Sequence, residues 1–419
     1  MLIVQRRALA FVALVVAGPL AAQSTTSGSG GTPPATTEPT STPAATPAQQ
    51  PAPAAPSLSF SGVIFGSYNY QLPTTPAPLR NQTNNSFIVD RAYLTFRMAA
   101  GDRTSIRITT DIFQSADSTS NAYTVRAKYA FLQYEAPRMA NGAQVTGRIG
   151  ILHNVVIDQI EIFWPRYLSQ TPSERAGYFA SADVGLAALV TLPNKWGEVY
   201  ANIVNGPGYT ARERDRFKDF AIRLTLTPLM NTPATSLLQT FSITAWGYKG
   251  ATASSFVNGG FEQIGAVGEA LDRSRAGVFV GLRDPRLLLG GELAQRHDGG
   301  ETGLNTAVSP RSVTTTTGRL LSGIAIVRPL AFANESAKSP FGLVGRYDRI
   351  TPTANTTGFA TVPSSSNAYH TLIAGIFLDL SQKAQLAIDY QESLASDNGV
   401  SAAPPSQSKG YYAHFVVNF

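Results

Sequence analysis

Residues 409–419 read KGYYAHFVVNF. Tyr411, Ala413, Phe415, Val417 and Phe419 occupy every second position, which in an extended chain is a single face. The same period of two recurs upstream. In SIRITTDIF (105–113), Ile106, Ile108 and Ile112 alternate with Arg107, Thr109 and Asp111. Ala92, Leu94, Phe96 and Met98 alternate with Arg91, Tyr93, Thr95 and Arg97. Phe220, Ile222, Leu224 and Leu226 do so with Ala221, Arg223, Thr225 and Thr227, and Leu386, Ile388 and Tyr390 with Gln385, Asp389 and Gln391. A soluble sheet with one face in water shows the same alternation.

The lengths of the breaks separate the two cases. Strands are expected near 58–71, 86–98, 104–113, 122–136, 143–152, 180–192, 198–205 and 217–228. Eight more are expected near 237–249, 275–283, 286–297, 314–327, 340–350, 368–380, 384–395 and 409–419. AAGDR, PRMANG, PNKWG, Asp284-Pro285 and SQK make short connections, and LMNTPATS and RPLAFANESAKS somewhat longer ones. Between them lie longer segments such as 72–85, 153–179, 250–274, 298–313, 351–367 and 396–408. Short turns at one rim and long loops at the other are the pattern of a membrane barrel. A sandwich gives no reason for it. The expected fold is all-β: a transmembrane antiparallel β-barrel of about sixteen strands, residues 58–419, with both termini at the rim of short turns.

Composition agrees. Hydrophobic residues make up 43% and charged ones only 14%, against the quarter usual in soluble proteins. Yet no apolar run after the N-terminal stretch approaches the ~20 residues of a membrane helix; LSGIAIV (321–327) and LIAGIFL (372–378) are far too short. In lipid a closed barrel is the alternative to helices. Cysteine is absent, which excludes a lipid-modified cysteine anchor and a disulfide framework.

Residues 1–22 read as a signal peptide. Arg6 and Arg7 precede the apolar ALAFVALVVA, Gly18 and Pro19 end it, and small residues around Ala22 suit cleavage. Residues 23–57 hold Ser, Thr, Gly, Pro, Ala and Gln, with Glu38 the lone charge. Nothing there offsets the entropy of ordering, so a disordered periplasmic linker is expected, either a plain spacer or a tether to peptidoglycan. A secreted barrel implies the outer membrane of a Gram-negative cell. There the terminal strand, with Tyr411, Phe415, Val417 and Phe419, looks like the signal read by the outer-membrane assembly machinery.

Several stretches resemble a known family. NNSFIVDRAYLTFRM is similar to the second strand of the phosphate-selective porin O and P family, IRITTDIF to its third, VRAKYAFLQYE to its fourth and VTGRIGIL to its fifth. SADVGLAAL, YANIVNGPG and FKDFAIRLTLTPL look like its later blocks, and order and spacing hold from about residue 58 to 230. The resemblance implies a sixteen-stranded trimeric channel with an inward-folded third loop. It does not carry phosphate with it. Where the family has Gly-Gln-Phe-Lys-x-Pro-Phe, this chain has Gly150, Ile151, Leu152, His153, Asn154, Val155 and Val156, and it holds only 7 lysines.

The expected function is a porin passing small, preferentially anionic solutes, because fixed charges near a narrow point concentrate one sign of ion. Arg91, Arg97, Arg107, Arg126, Lys128, Arg148, Arg223 and Arg296 fall on the polar, lumen-lining phase, opposed by Asp111, Asp183, Glu292 and Asp389. Each cation either contacts solute or forms an ion pair that stiffens the wall. The net charge of +6, or +4 without Arg6 and Arg7, tilts the balance towards anions. The longest connection, 153–179, carries Val155, Ile157, Ile160, Ile162, Phe163, Trp164 and Tyr167, which suits packing inside the barrel. The alternative is a loop that caps the barrel from outside. Folded inward, it makes Arg166 and Arg175 the constriction cations, with Asp158, Glu161 and Glu174 as their partners.

A barrel hydrolase is the rival of another class. It would need acid–base groups on a rigid scaffold, and the chain has four histidines and no Gly-x-Ser-x-Gly. A structural barrel tethered to the wall is a third reading. No metal-ligand cluster, phosphate-cradling glycine loop or nucleic-acid motif stands out, so no metal, cofactor or nucleic acid is expected.

Overall fold

The computed structural model describes residues 57–419 apart from 75–84, 116–121, 214, 234–235, 254–269, 303–311, 334–338, 358–367 and 396–407. The expected signal peptide and nearly all of the linker, residues 1–56, lie outside the described residues. The strands are β1 (Leu58–Gln71), β2 (Asn85–Gly101), β3 (Thr104–Gln114), β4 (Tyr123–Glu135), β5 (Gln144–His153) and β6 (Ala182–Thr191). Next come β7 (Gly197–Val204), β8 (Asp219–Leu226), β9 (Ser242–Ala253), β10 (Ala270–Arg283) and β11 (Leu287–Thr302). The last are β12 (Ser312–Val327), β13 (Phe341–Thr357), β14 (Tyr369–Asp379), β15 (Ala384–Ala395) and β16 (Ser408–Asn418).

Each strand pairs antiparallel with its neighbour in sequence, and β1 closes on β16, giving a sixteen-stranded barrel. Closure leaves no unpaired edge, the condition for putting backbone amides in lipid. No described helix is long and apolar enough to cross a membrane. Phe220, Ile222 and Leu224 on β8 are outward and exposed, whereas Ala221, Arg223 and Thr225 point in and are buried. Outward aromatics gather near both rims: Tyr134, Trp196, Phe332 and Phe419 by the turns, and Phe87, Tyr123 and Tyr411 by the loops. Such girdles sit at the two membrane interfaces.

The seam is built from glycine on one side and aromatics on the other. A Cβ on Gly62 would meet the Phe419 ring at 2.3 Å, and one on Gly66 the Phe415 ring at 2.7 Å. The missing side chains let both rings lie flat on β1, a means of pinning register. Gly62 and Phe419 also exchange backbone hydrogen bonds, Gly62 N to Phe419 O at 2.9 Å and Phe419 N to Gly62 O at 3.0 Å.

Each of the sixteen expected segments overlaps one strand, with three corrections. Residues 237–240 form a 3₁₀ turn capped by Ser236, and β9 starts only at Ser242. Residues 270–274, 298–302 and 351–357, expected in loops, continue β10, β11 and β13. Three register shifts change the phase, at Asp90 between β1 and β2, at Ala100 next to the β2–β3 turn and at Lys128 between β3 and β4.

Candidate channel constriction

The connection between β5 and β6 is the third long one, and it folds inward rather than capping the barrel. It carries two short helices, α1 (Ile157–Glu161) and α2 (Pro172–Arg175). Val155, Ile157, Ile160, Phe163, Trp164 and Leu168 are all buried. They pack in one cluster with inward residues of the wall, among them Trp246, Phe279, Leu320, Val344, Ile373 and Phe377. Each fully buried side chain of this size contributes about 1.5–3 kcal/mol, so the apolar face is a large part of what holds the loop against β9–β15.

Polar clamps fix its height. Arg346 on β13 pairs with Asp348, donates from Nη1 to Ser169 Oγ at 3.0 Å and lies over the Trp164 ring at 5.0 Å. Arg296 Nη1 donates to Ala176 O at 3.1 Å, Arg275 Nη1 to Tyr178 O, and Gln391 Nε2 to Leu168 O at 3.0 Å. Tyr167 Oη donates to Gln385.

The free face of the loop looks towards β1–β4 and β16 across a cavity of about 540 Å³. Arg91, Arg126, Arg166, Arg175, Asp90, Glu174 and Tyr209 line it. Arg166 sits between Glu161 and Glu174, the latter at 2.6 Å, and so is fully engaged. Arg175 has no carboxylate within 4.0 Å among the described residues. Asp158 partners neither arginine. It lies 3.8 Å from His153 Nδ1, because α1 turns it towards β5. Burial between loop and wall, then the neighbouring Glu161, push its carboxyl up to about 7. The 35% of its side chain open to the lumen works against that rise.

The eight lumen cations divide by what they touch. Arg91 and Arg126 both bind the buried Asp111, at 3.4 and 2.8 Å, with Tyr209 Oη donating to the same carboxylate. Arg223 pairs with Glu198, and Arg296 is spent on the loop backbone. Arg97, Arg107, Lys128 and Arg148 have no carboxylate within 4.0 Å among the described residues. Three of them rest on aromatic faces instead, and Arg97 is exposed. Arg107 lies 5.0 Å from the Tyr129 ring, Arg148 5.4 Å from Phe131, and Lys128 4.1 Å from Tyr93. His153 stacks on Tyr129 at 3.7 Å between them. Arg97 and Arg107 face each other across the β2–β3 ladder. Like charges placed so are destabilising, so the pair is a local concession in the wall. Of the expected carboxylates, Asp183 accepts from the amides of Gly206 and Gly208, Glu292 is buried in the wall, and Asp389 faces His414 Nε2 at 3.0 Å.

Sequence reading missed Asp90, Tyr209, Arg346 and Asp348. The adjacent charges Asp90-Arg91 signal a bulge, since strict alternation would send one of them into lipid. Arg346 and Asp348 sit two apart on the inward phase, which permitted a pair but named no partner in the loop.

The arrangement can narrow a water path and set the sign of charge along it. No family model matches the chain, and no curated protein does. Among solved structures, the outer membrane channel DcaP of Acinetobacter baumannii superposes with a TM-score of 0.57 at 10% identity, over 88% of this chain and 99% of its own. An anion-selective porin from Comamonas acidovorans gives 0.55 at 11%, over 87% and 100%. In-vitro folded OmpT in trimer form, an outer membrane protein of Vibrio cholerae, gives 0.53 at 10%, over 87% and 100%. At such identities the likeness is one of fold, the barrel of outer-membrane porins and channels.

Proposed function

We propose that the chain is an outer-membrane porin, assembled as a homotrimer after cleavage of its leader, that passes small solutes with a preference for anions. The observation that carries this reading is the row Arg97, Arg107, Lys128 and Arg148, inward cations with no carboxylate within 4.0 Å among the described residues, on the wall beside the inward third loop. A surplus of fixed positive charge in a narrow, low-dielectric passage raises the local concentration of anions. The anion-selective porin among the structural neighbours and the trimer form of another support the finer points by analogy of fold. Phosphate is not singled out, since His153 stands where the resembling family has lysine.

Planar-bilayer recording of the full chain tests it. Stable ohmic steps and a zero-current potential of anion-selective sign in a salt gradient are expected. Absence of steps refutes the channel, and a cation-selective potential refutes the anion preference.

A further inference from the structure

Two arginines point the wrong way for a lumen. Leu320 and Ile350 pack against the third loop inside the barrel, so their neighbours Arg319 on β12 and Arg349 on β13 face outward, and both are exposed. Arg319 pairs in register with Thr351, and Leu321 with Arg349. The two arginines are therefore diagonal neighbours, about 7–8 Å apart at Cβ by ladder geometry. Neither has a carboxylate within 4.0 Å among the described residues. The nearby outward charges are otherwise satisfied: Lys249 pairs with Asp272 at 3.0 Å, and His370 with Glu392 at 3.3 Å.

Their height matters. Arg319 and Arg349 each stand eight residues from the turn-side ends of their strands, Val327 and Phe341. A strand crosses the hydrocarbon in about 9–11 residues, so both reach the headgroup level nearest the long loops. An arginine facing lipid costs most at mid-bilayer and little there. Below them the outer wall forms a shallow groove of about 700 Å³ lined by Ala276, Val278, Leu293 and Leu321. Above it the lining turns polar, with Ser274, Gln295, His297 and Thr317 beside Arg319. Apolar below, cationic at the interface and polar above is the chemical profile of an anionic amphiphile standing along the membrane normal.

We propose that the outward face of β10–β13 binds an anionic lipid with a phosphomonoester headgroup in the leaflet nearest the long loops, the headgroup between Arg319 and Arg349 and an acyl chain in the groove. Guanidinium forks match phosphate oxygens bidentately. The proposal rests on the membrane placement given under the proposed function.

The full chain, reconstituted in vesicles of phosphatidic acid and phosphatidylcholine, is extracted and weighed by native mass spectrometry. Wild type should retain phosphatidic acid in preference to phosphatidylcholine. The R319Q/R349Q variant should retain about tenfold less, having lost its charge-assisted contacts. Equal retention by both proteins, or no preference between lipids, overturns the site. Should the double variant fail to fold, Ala276→Phe fills the groove with both arginines in place and should expel the same lipid. Conductance of the same preparations separates the two readings. Inserted, conducting proteins with equal retention refute the lipid site alone, whereas a wild type that neither inserts nor conducts refutes the channel and the site with it.

Discussion

Arg346 lays its guanidinium 5.0 Å from the centre of the Trp164 ring, joining β13 to the third loop through a face that water does not reach. Its charge is balanced by Asp348, whose Oδ1 also accepts from Ser322 at 2.6 Å. The loop is thus held by a wall residue that is itself held by two others.

Replacing Arg346 with methionine should weaken the barrel and loosen the loop together. Breaking a buried pair from one side costs about 3–5 kcal/mol, because the other charge stays buried. We expect a lower temperature of heat-modified migration and noisier single-channel currents. The double change R346M/D348L removes both charges and should recover most of the thermal stability while the current stays noisy. Quiet currents in both variants would show that the apolar packing alone fixes the loop.

Selectivity should follow the unpaired cations. A unit charge ~8 Å from an ion is worth about 0.5 kcal/mol even at the dielectric of bulk water, and more between protein walls. Converting Arg107 and Arg148 to glutamate should therefore move the zero-current potential towards cations by several-fold in permeability ratio. Converting Arg138 and Lys195, exposed on the short turns, changes net charge equally and should do far less. Equal shifts would place the filter elsewhere.

Arg175 offers a finer test. Arg166 is neutralised by two acids, while Arg175 has no acid within 4.0 Å among the described residues. R175Q should reduce anion permeability with little change in heat stability. An unchanged reversal potential would remove Arg175 from the constriction.

Asp158 gives the channel a pH response. Burial pushes its carboxyl up to about 7, so its charge falls as pH drops from 8 to 6. Losing that negative charge should strengthen the anion preference as pH falls through this window, and D158N should abolish the change. The stability sign is set by the same shift. An acid whose folded value lies above the ordinary ~4 holds its proton more tightly when folded. Its contribution is greatest below ~4 and declines as pH rises towards about 7. A reversal potential that is flat from pH 6 to 8 would count against it.

The seam predicts an assembly defect. Deleting Phe419 removes the backbone exchange with Gly62 and the ring that covers it. Heat-modifiable barrel should fall sharply, and Gly62→Val, which intrudes on the same ring, should behave alike. Normal yields of both would dissociate the terminal aromatic from closure.

The strands were legible because lipid outside and water inside impose a period of two, which survives in sequence wherever the wall crosses the membrane. The signal fades where the wall leaves it. DGGET at the end of β11 and TPTANTT at the end of β13 read as loops because, above the bilayer, neither face needs apolar residues. Conversely LLQTF read as strand, yet it lies in a turn at the interface, where Leu238 is exposed. The inward third loop was visible in its apolar content. The pairing of Asp158 was not, since a five-residue helix can present a side chain to either wall. The bulges at Asp90 and Lys128 hid which inward cations meet acids, because one inserted residue shifts every later partner.

Closure of β1 on β16 brings Val63 opposite Asn418, contacts near the greatest sequence separation this chain allows. The first strand therefore waits through synthesis of all the others with one ladder of amides and carbonyls unmatched. Such a strand is a template for pairing with another chain, and joins between distant segments form slowly. The hydrogen bonds that close the barrel therefore join segments almost the whole length of the chain apart, and until they form the opening strand keeps an exposed edge.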